Sequence, residues 1–304
     1  GSEGTLGVVT EAVLRMRTLP QTSQYGSVLF PTFEHGVLFM REVARQGACP
    51  ASIRLMDNDQ FQLGHSLKPD KKNPFAKVVD GFKKIYVTKW HGFDPSEMCF
   101  ATLCMEGTKE QVAAQHKRIG QIAGQFKGLD AGSENGYRGY FLTFMIAYLR
   151  DFGVNFSFIA ESFETTVPWS NVLMVCESVK RRVKETCVQA GIKTEPFVSC
   201  RVTQLYDTGA CLYFYFGFSW KGVRDPVGTF TLVEDAAREE ILALGGSLSH
   251  HHGVGKHRQR WLKPQISEPG FEALASVKAA LDPRNVFGNG NLTAKPDGAH
   301  GHSK

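Results

Sequence analysis

A chain of 304 residues, 42% hydrophobic and 21% charged, holds enough material for one large or two ordinary domains around a substantial core. Its formal charge of +5 is spread out, with basic runs only at Lys68-Pro69-Asp70-Lys71-Lys72 and Lys180-Arg181-Arg182, which excludes a nucleic-acid protein and favours an anionic ligand or membrane surface only weakly. Neither a membrane helix of ~20 apolar residues nor a signal peptide is expected, and seven cysteines, set mostly in apolar stretches (Cys99, Cys104, Cys176, Cys211), read as reduced core thiols of an intracellular protein.

The chain opens on Gly1-Ser2-Glu3-Gly4-Thr5-Leu6-Gly7-Val8-Val9, a glycine-rich turn whose backbone N–H groups suit an anionic or carbonyl-rich ligand, although such turns have many uses. Thr10 to Met16 alternates like a strand, and Thr18 to Thr22 reads as a linker. Tyr25 to Phe30 is β-like, Phe33 to Arg45 has helical spacing, and Ala51 to Met56 is β-like again. The polar, lysine-rich stretch Asn58 to Asn73 is expected as an exposed, mobile loop. Met98 to Met105 follows as a strand, then a helix from the N-cap Thr108 through Phe126. Tyr137 to Leu149 is read as a helix, Asn155 to Phe163 as a strand, and Val167 to Ala190 as a long helix. Phe197 to Leu205 and Gly209 to Trp220 are strands, and Asp225 to Leu244 is a helix. Beyond a histidine-rich segment the spacing predicts one helix, Glu268 to Leu281, stopped by Asp282-Pro283 and followed by an Asn/Gly turn. The residues from Thr293 on are a polar tail, expected to be disordered. Strand–helix–strand units with hairpins among them predict an α+β sheet with helices on one face. Two such halves in tandem would resemble duplicated ferredoxin-like units, though no strong internal repeat is visible.

The most distinctive stretch is Gly245-Gly246-Ser247-Leu248-Ser249-His250-His251-His252-Gly253-Val254-Gly255-Lys256-His257-Arg258. Imidazole titrates nearest neutrality and moves protons both ways, and flanking glycines allow a sharp turn and close ligand approach. A polar surface turn is the plainer reading. Contiguous histidines diverge, and no Cys or His follows at finger-like spacing, so they make a poor zinc site and no metal is expected. Tyr213 lies in Ala210-Cys211-Leu212-Tyr213-Phe214-Tyr215-Phe216, where Cys211, Tyr213 and Tyr215 share one face of a strand. It can be a proton donor or acceptor, or a core tyrosine satisfied by one hydrogen bond. Arg150 and Arg54 end apolar elements and suit a phosphate or a flavin carbonyl; structural ion pairs with Asp151 and Asp57 are the alternative. Ser162 could orient a substrate or cap the following helix.

Taken together, the opening Gly1 to Gly7, Tyr148-Leu149-Arg150-Asp151, Glu161-Ser162-Phe163-Glu164-Thr165, Tyr206-Asp207 with Gly209-Ala210-Cys211, the Tyr213-Phe214-Tyr215-Phe216 strand and Gly246 to Lys256 resemble the alkyldihydroxyacetonephosphate synthases. The resemblance runs from Gly1 to Leu292, and its specific parts are the three histidines and the Tyr-Phe-Tyr-Phe strand. The glycine-rich opening is shared with the wider vanillyl-alcohol-oxidase-type flavoproteins. The resemblance implies an FAD-linked oxidase C-terminal (cap) domain: an antiparallel or mixed sheet with ferredoxin-like βαβ units and helices, preceded by the last strand and loop of an FAD-binding domain. Its implied limits are 1–20 for that edge, 21–245 for the cap, 246–292 for an active-site segment and helix, and 293–304 for the tail.

The implied activity exchanges the acyl group of acyl-dihydroxyacetone phosphate for a long-chain fatty alcohol in ether-lipid synthesis, with FAD and no net redox change. By the same resemblance Tyr213 is the proton donor and acceptor, His250, His251 and His252 the active histidine run, Arg150 the substrate-binding arginine, and Arg54 an arginine needed for activity. Ser162 joins the substrate-binding set. Glu3, Gly4, Thr5, Leu6, Gly7, Val8 and Val9 form the last flavin-contacting loop, and Asn289, Gly290, Asn291, Leu292 and Thr293 a functionally important tail. A homodimer, peripheral membrane association and a peroxisome or glycosome-like organelle are also implied. His302-Ser303-Lys304 is one leucine short of a peroxisomal address, and an ordinary polar tail fits it equally well. Because such synthases carry a flavin domain ahead of the glycine-rich loop, this chain reads as a distal part that would bind FAD poorly and be inactive alone. The alternatives are an FAD-dependent 2-hydroxyacid dehydrogenase of the D-lactate or glycolate type and a non-catalytic lipid- or partner-binding fragment.

Overall fold

The computed structural model describes residues 2–67, 85–288 and 290–293. Lys68-Pro69-Asp70-Lys71-Lys72 and Asn73, Asn289, and the tail from 294 including His302-Ser303-Lys304 therefore lie outside the described residues. The chain divides into two compact units, Leu19–Gly245 and Gly1–Thr18 with Gly246–Lys304. Among the described residues no helix is long and apolar enough to cross a membrane.

The larger unit is a seven-stranded sheet. Its elements are β1 (Thr22–Phe30), α1 (Phe33–Arg45), β2 (Ser52–Met56), α2 (Asn58–Ser66), β3 (Cys99–Gly107), α3 (Lys109–Gln125), β4 (Leu129–Asp130), α4 (Ser133–Val154), β5 (Phe158–Pro168), α5 (Val172–Gln189), β6 (Phe197–Leu205), β7 (Gly209–Ser219) and α6 (Pro226–Ala243). The strand order is β4-β1-β3-β2-β6-β7-β5, and every pairing is antiparallel. The order β4-β1-β3-β2 is a split βαβ arrangement, and β6-β7-β5 repeats it without a fourth strand, so the tandem ferredoxin-like expectation holds. The halves join where Leu55 and Met56 of β2 meet Val202 and Arg201 of β6.

Alternation along the strands sends one set of side chains to each face. Leu55, Ala101, Cys200, Val202, Leu212, Phe214 and Phe216 pack under α1, α3, α5 and α6 in the main core. The helices are not all on that face, as the patterning had implied. α4 crosses the other one, above Gly26, Thr102 and Met56. A Cβ on Gly136 would stand 2.3 Å from the Gly26 carbonyl oxygen, and one on Gly139 would stand 2.5 Å from Thr102 Cγ2. α4 also outruns its expected limits at both ends, because a helix apolar all round carries no periodic boundary.

Other differences have local causes. Asn58 to Ser66 is not a loop: Asp57 caps α2 through the Gln60 N–H at 2.9 Å, and Gln60 turns inward. The Asp57 carboxylate also accepts Cys200 N–H at 2.9 Å and the Lys180 ammonium at 2.7 Å, so Lys180 is not part of a solvated helix face. Strand β5 continues to Pro168, and a 3-10 turn at Trp169–Asn171 delays α5. By contrast, Thr108 caps α3 with a reciprocal Gln111 contact, as the spacing predicts. All seven cysteines are unpaired and six are buried.

In the smaller unit Thr10 to Met16 forms no strand, and Val13 is 96% exposed; an alternating segment needs a neighbouring edge to pair with. An unexpected helix, α7 (Gln259–Ile266), precedes α8 (Glu268–Leu281), its pattern masked by Pro264. After α8, Asp282 accepts the N–H groups of Val286 (3.0 Å) and Phe287 (2.8 Å), which builds the Asn/Gly turn.

Candidate active site

Three of the four residues singled out in the larger unit are linked. Antiparallel register puts Ser162 of β5 opposite Tyr215 of β7, and Glu164 opposite Tyr213. The Tyr213 phenol and the Ser162 hydroxyl are 3.1 Å apart. Ser162 donates its backbone N–H to Glu161 at 2.9 Å, and Arg150, from the last turns of α4, reaches Glu161 at 3.4 Å. A polar chain thus runs Arg150–Glu161–Ser162–Tyr213. Arg150 also makes the anticipated pair with Asp151, at 3.4 Å. Ser162 lies within β5 and caps no helix. Glu161 was not anticipated as a site residue, although it sits between two residues that were.

The fourth, Arg54, lies on the same sheet face as Tyr213, its guanidinium 4.7 Å from the Tyr140 ring centre. Between them is a residue that the sequence reading passed over. Arg201 on β6 is directly opposite both Tyr213 and Met56, is 7% exposed, and stacks at 4.6 Å from the Tyr213 ring and 4.8 Å from the Tyr215 ring. Burial, reinforced by Arg54, pulls its pKa down against the tyrosines. Among the described residues its guanidinium makes no hydrogen bond or ion pair, and Nε is buried without a partner. Ring faces offset charge by about 2 kcal/mol each when dry. They do not replace the bonds of in-plane N–H groups, and each buried donor left unmade costs about 1–3 kcal/mol. Burial also pushes the Tyr215 phenol up, and the Cys211 thiol to about 11. Behind the face, Arg238 of α6, 1% exposed, donates to the Glu164 carbonyl at 2.9 Å and so braces β5.

In the smaller unit the three histidine rings form a row of edge-to-face contacts, with centroids 5.1 Å (His250–His251) and 4.6 Å (His251–His252) apart. Nδ1 of His250 lies 2.8 Å from Nδ1 of His251, so one nitrogen donates while the other accepts and the pair shares a proton. The turn is anchored from behind. Glu3 accepts the N–H groups of Val254 (2.7 Å) and Gly255 (2.6 Å), Gly253 N–H goes to Ser249 (2.8 Å), and Arg258 donates to the Gly253 carbonyl (2.7 Å). Gly253 has φ 84°, and a Cβ there would come within 2.9 Å of Glu3.

The tail joins the same cluster. Asn291 donates to the Glu3 carbonyl at 3.2 Å, Gln259 donates to the Leu292 carbonyl, and Gly290 faces the Lys256 side chain. Thr293 is half-buried, and Asn289 is outside the described residues. Of the expected cofactor loop, Thr5 is buried, while Val8 and Val9 are 74% and 86% exposed. Glu3 is committed to the histidine turn. Gly4 and Gly7 have open space where a Cβ would be, and among the described residues the Leu6 and Gly7 N–H groups have no acceptor. Free amide donors beside glycines fit the carbonyl edge or phosphates of a flavin nucleotide.

Comparison with known proteins identifies the family. Residues 19–292 match the family model described as FAD linked oxidases, C-terminal domain. The chain is 47% identical over 292 residues to the alkyldihydroxyacetonephosphate synthase of Caenorhabditis elegans, covering 96% of this chain and 49% of that one. It is 31% identical over 296 residues to the synthase of that name from Trypanosoma brucei brucei, covering 97% and 48%. A solved structure of an alkyldihydroxyacetonephosphate synthase shares the fold with a TM-score of 0.72 at 24% identity, over 94% of this chain and 48% of that one. The chain spans about half the length of the relatives it matches. With a split-βαβ sheet, a glycine-rich loop of open amides and a family match across most of its length, the chain belongs to the FAD-linked oxidases, as their C-terminal domain.

Proposed function

We propose that this chain is the substrate-handling part of an alkyldihydroxyacetonephosphate synthase, in which the acyl group of acyl-dihydroxyacetone phosphate is exchanged for a fatty alcohol. The observation that carries the reading is the Arg150–Glu161–Ser162–Tyr213 chain, taken with the 47% identity to the nematode synthase. The exchange breaks the carbon–oxygen bond to the acyloxy group and forms one to the alkoxy group, at a carbon beside a ketone. A proton must leave that carbon and return, and the alcohol must lose its proton while the carboxylate departs.

Tyr213, oriented by Ser162, is the group we assign to the carbon-bound proton. The His250–His251 pair, already sharing one proton, suits the alcohol and the departing carboxylate, with His252 next in the row. Arg150 and Arg54 supply cationic arms for the phosphate head. FAD, when bound, supplies an electron-poor ring beside which the carbon is handled without net oxidation, and Glu3 to Val9 would hold its edge. Tyr148, Phe152 and Phe156, exposed around Arg150, suit a lipid chain or a membrane surface. A homodimer and a peroxisome or glycosome-like location belong to the same proposal.

The test is exchange of labelled hexadecanol into acyl-dihydroxyacetone phosphate by the full-length, FAD-loaded protein and its Tyr213→Phe form. Exchange that falls by about 10²–10⁴-fold in the variant, with the flavin retained, is the expected result. Reduction of a dye by D-lactate or glycolate, with no exchange, would overturn the reading in favour of a 2-hydroxyacid dehydrogenase.

A further inference from the structure

Arg201 has no role in the scheme above, yet it is among the most constrained cations of the larger unit. It sits on β6 near the middle of the sheet, 7% exposed, clasped by the rings of Tyr213 and Tyr215. No carboxylate meets it among the described residues, and its Nε is buried without a partner. Arginine cannot escape burial by losing its proton as a lysine can. The acid nearest along this face is Glu164, which pairs in register with the far side of Tyr213, two strand spacings or about 10 Å away.

A second guanidinium stands nearby on the same face. Arg54 precedes Met56 by two residues, and Met56 is the direct partner of Arg201, so Arg54 is its diagonal neighbour on the same face and the two repel. Structural arginines are normally matched by carboxylates. Arg201, over its floor of two tyrosine rings, has no such match among the described residues, and its Nε is buried and unmade. Such an arrangement is balanced when a ligand brings the negative charge.

We propose that Arg201 and Arg54 form an oxyanion seat next to Tyr213, which receives a charged end of the substrate: either a phosphate monoester or a fatty carboxylate. The identity of the ligand rests on the proposed function; the existence of the seat does not. The seat fixes the anion relative to the Tyr213 phenol, because the same guanidinium is stacked on that ring. Arg54 and Arg201 occupy corresponding second strands of the two sheet halves, so the seat lies at the junction where β2 meets β6.

The experiment uses the full-length, flavin-loaded protein, with Arg201→Met and Arg201→Lys variants, titrated separately with inorganic phosphate and with octanoate. Melting temperature and calorimetric affinity are the readouts. The wild type should be stabilised by one of the anions, phosphate if the seat takes the head group and octanoate if it takes the carboxylate. Arg201→Met should bind that anion at least about tenfold more weakly, and should melt no lower than wild type without anion, since a buried uncompensated charge has been removed. Arg201→Lys keeps the charge but loses the planar fork, and should fall between. If neither anion shifts the wild type, or if Arg201→Lys and Arg201→Met bind it as the wild type does, the seat does not exist. Should Arg201→Met fail to fold, the wild-type and Arg201→Lys titrations still decide. Loss of the exchange reaction with anion binding intact would sink the proposed function and leave the seat supported.

Discussion

The carboxylate of Glu3 accepts the backbone N–H of Gly255 at 2.6 Å, and that of Val254 at 2.7 Å, across more than 250 residues of chain. The histidine row is therefore held from behind by the glycine-rich loop expected to face the cofactor. Glu3→Ala removes both acceptors and should release Val254 and Gly255 to exchange with solvent about 10–100-fold faster, since two bonds to a charged group are lost. Glu3→Gln, which keeps one acceptor oxygen, should give a smaller change. Hydrogen exchange resolved to single peptides checks both, and equal protection in all three forms would remove Glu3 from the account.

Glu161 stands between Arg150 and Ser162, so its effects should divide in two. Glu161→Gln still accepts the Ser162 N–H but no longer neutralises Arg150, and should change KM more than kcat. Ser162→Ala leaves the Tyr213 phenol without its 3.1 Å partner and should lower kcat about tenfold or more with little change in KM. Steady-state kinetics on the full-length protein separates the two. An identical pattern from both variants would mean that the chain from Arg150 to Tyr213 does not act in sequence.

Asp57 ties together α2, β6 and α5 by accepting Gln60 N–H, Cys200 N–H and the Lys180 ammonium. Burial pulls the Lys180 pKa down, but Asp57 and its other neighbours outweigh it and the ammonium is held well above its ordinary value. Asp57→Ala leaves two buried backbone donors unmatched and the half-buried Lys180 ammonium with Asp59 alone, and should cost about 3 kcal/mol. For a unit of this size that is a fall of about 6–12 °C in Tm. Scanning calorimetry of the wild type and variant measures it.

The turn after α8 should be acid-sensitive. The Lys278 ammonium, with help from Phe287 and Val286 N–H groups, holds the Asp282 carboxyl down from its ordinary 3.8 to about 2. A carboxyl lowered on folding contributes stability that is complete above its unfolded pKa, and that stability drains away as pH falls towards the folded one. The turn after α8 should thus loosen between about pH 4 and pH 2, while remaining unchanged between pH 5 and pH 8. In Asp282→Asn that pH dependence should vanish, at the expense of lower stability above about pH 4, because the buried Lys278 keeps the Phe287 carbonyl but loses its countercharge. Thermal melts followed at pH 2, 3 and 5 check the sign.

Much of this architecture was legible because short-range chemistry dictates it. Thr108 with Gln111 announces the start of α3, the apolar period of Phe33 to Arg45 announces α1, and alternation places Tyr213 and Tyr215 on one face. What escaped was set by partners far along the chain. Asn58 to Ser66 looks like a loop until Asp57 finds Cys200 and Lys180. Thr10 to Met16 looks like a strand but has no edge to pair with among the described residues. Arg201, in Phe197-Val198-Ser199-Cys200-Arg201-Val202, reads as an ordinary outward polar residue of an alternating strand, and only the register with β2 and β7 reveals that its face is covered. Two arginines and two tyrosines at matching parity on neighbouring strands were the available signal.

The contact between Gly136 and Gly26 has a mechanical consequence. Backbone touches backbone there, with the Gly26 carbonyl oxygen 2.3 Å from where a methyl on Gly136 would go, so α4 pivots on β1 with no side chain to cushion it. Arg150 rides the same rigid rod fourteen residues farther on, a lever arm of about 21 Å. A tilt of only about five degrees at the pivot would swing the guanidinium by about 2 Å over that arm, enough to part it from Glu161. The tolerances of the candidate face are therefore partly written at a glycine about four helical turns from the guanidinium it serves, where a single added carbon would act as a wedge.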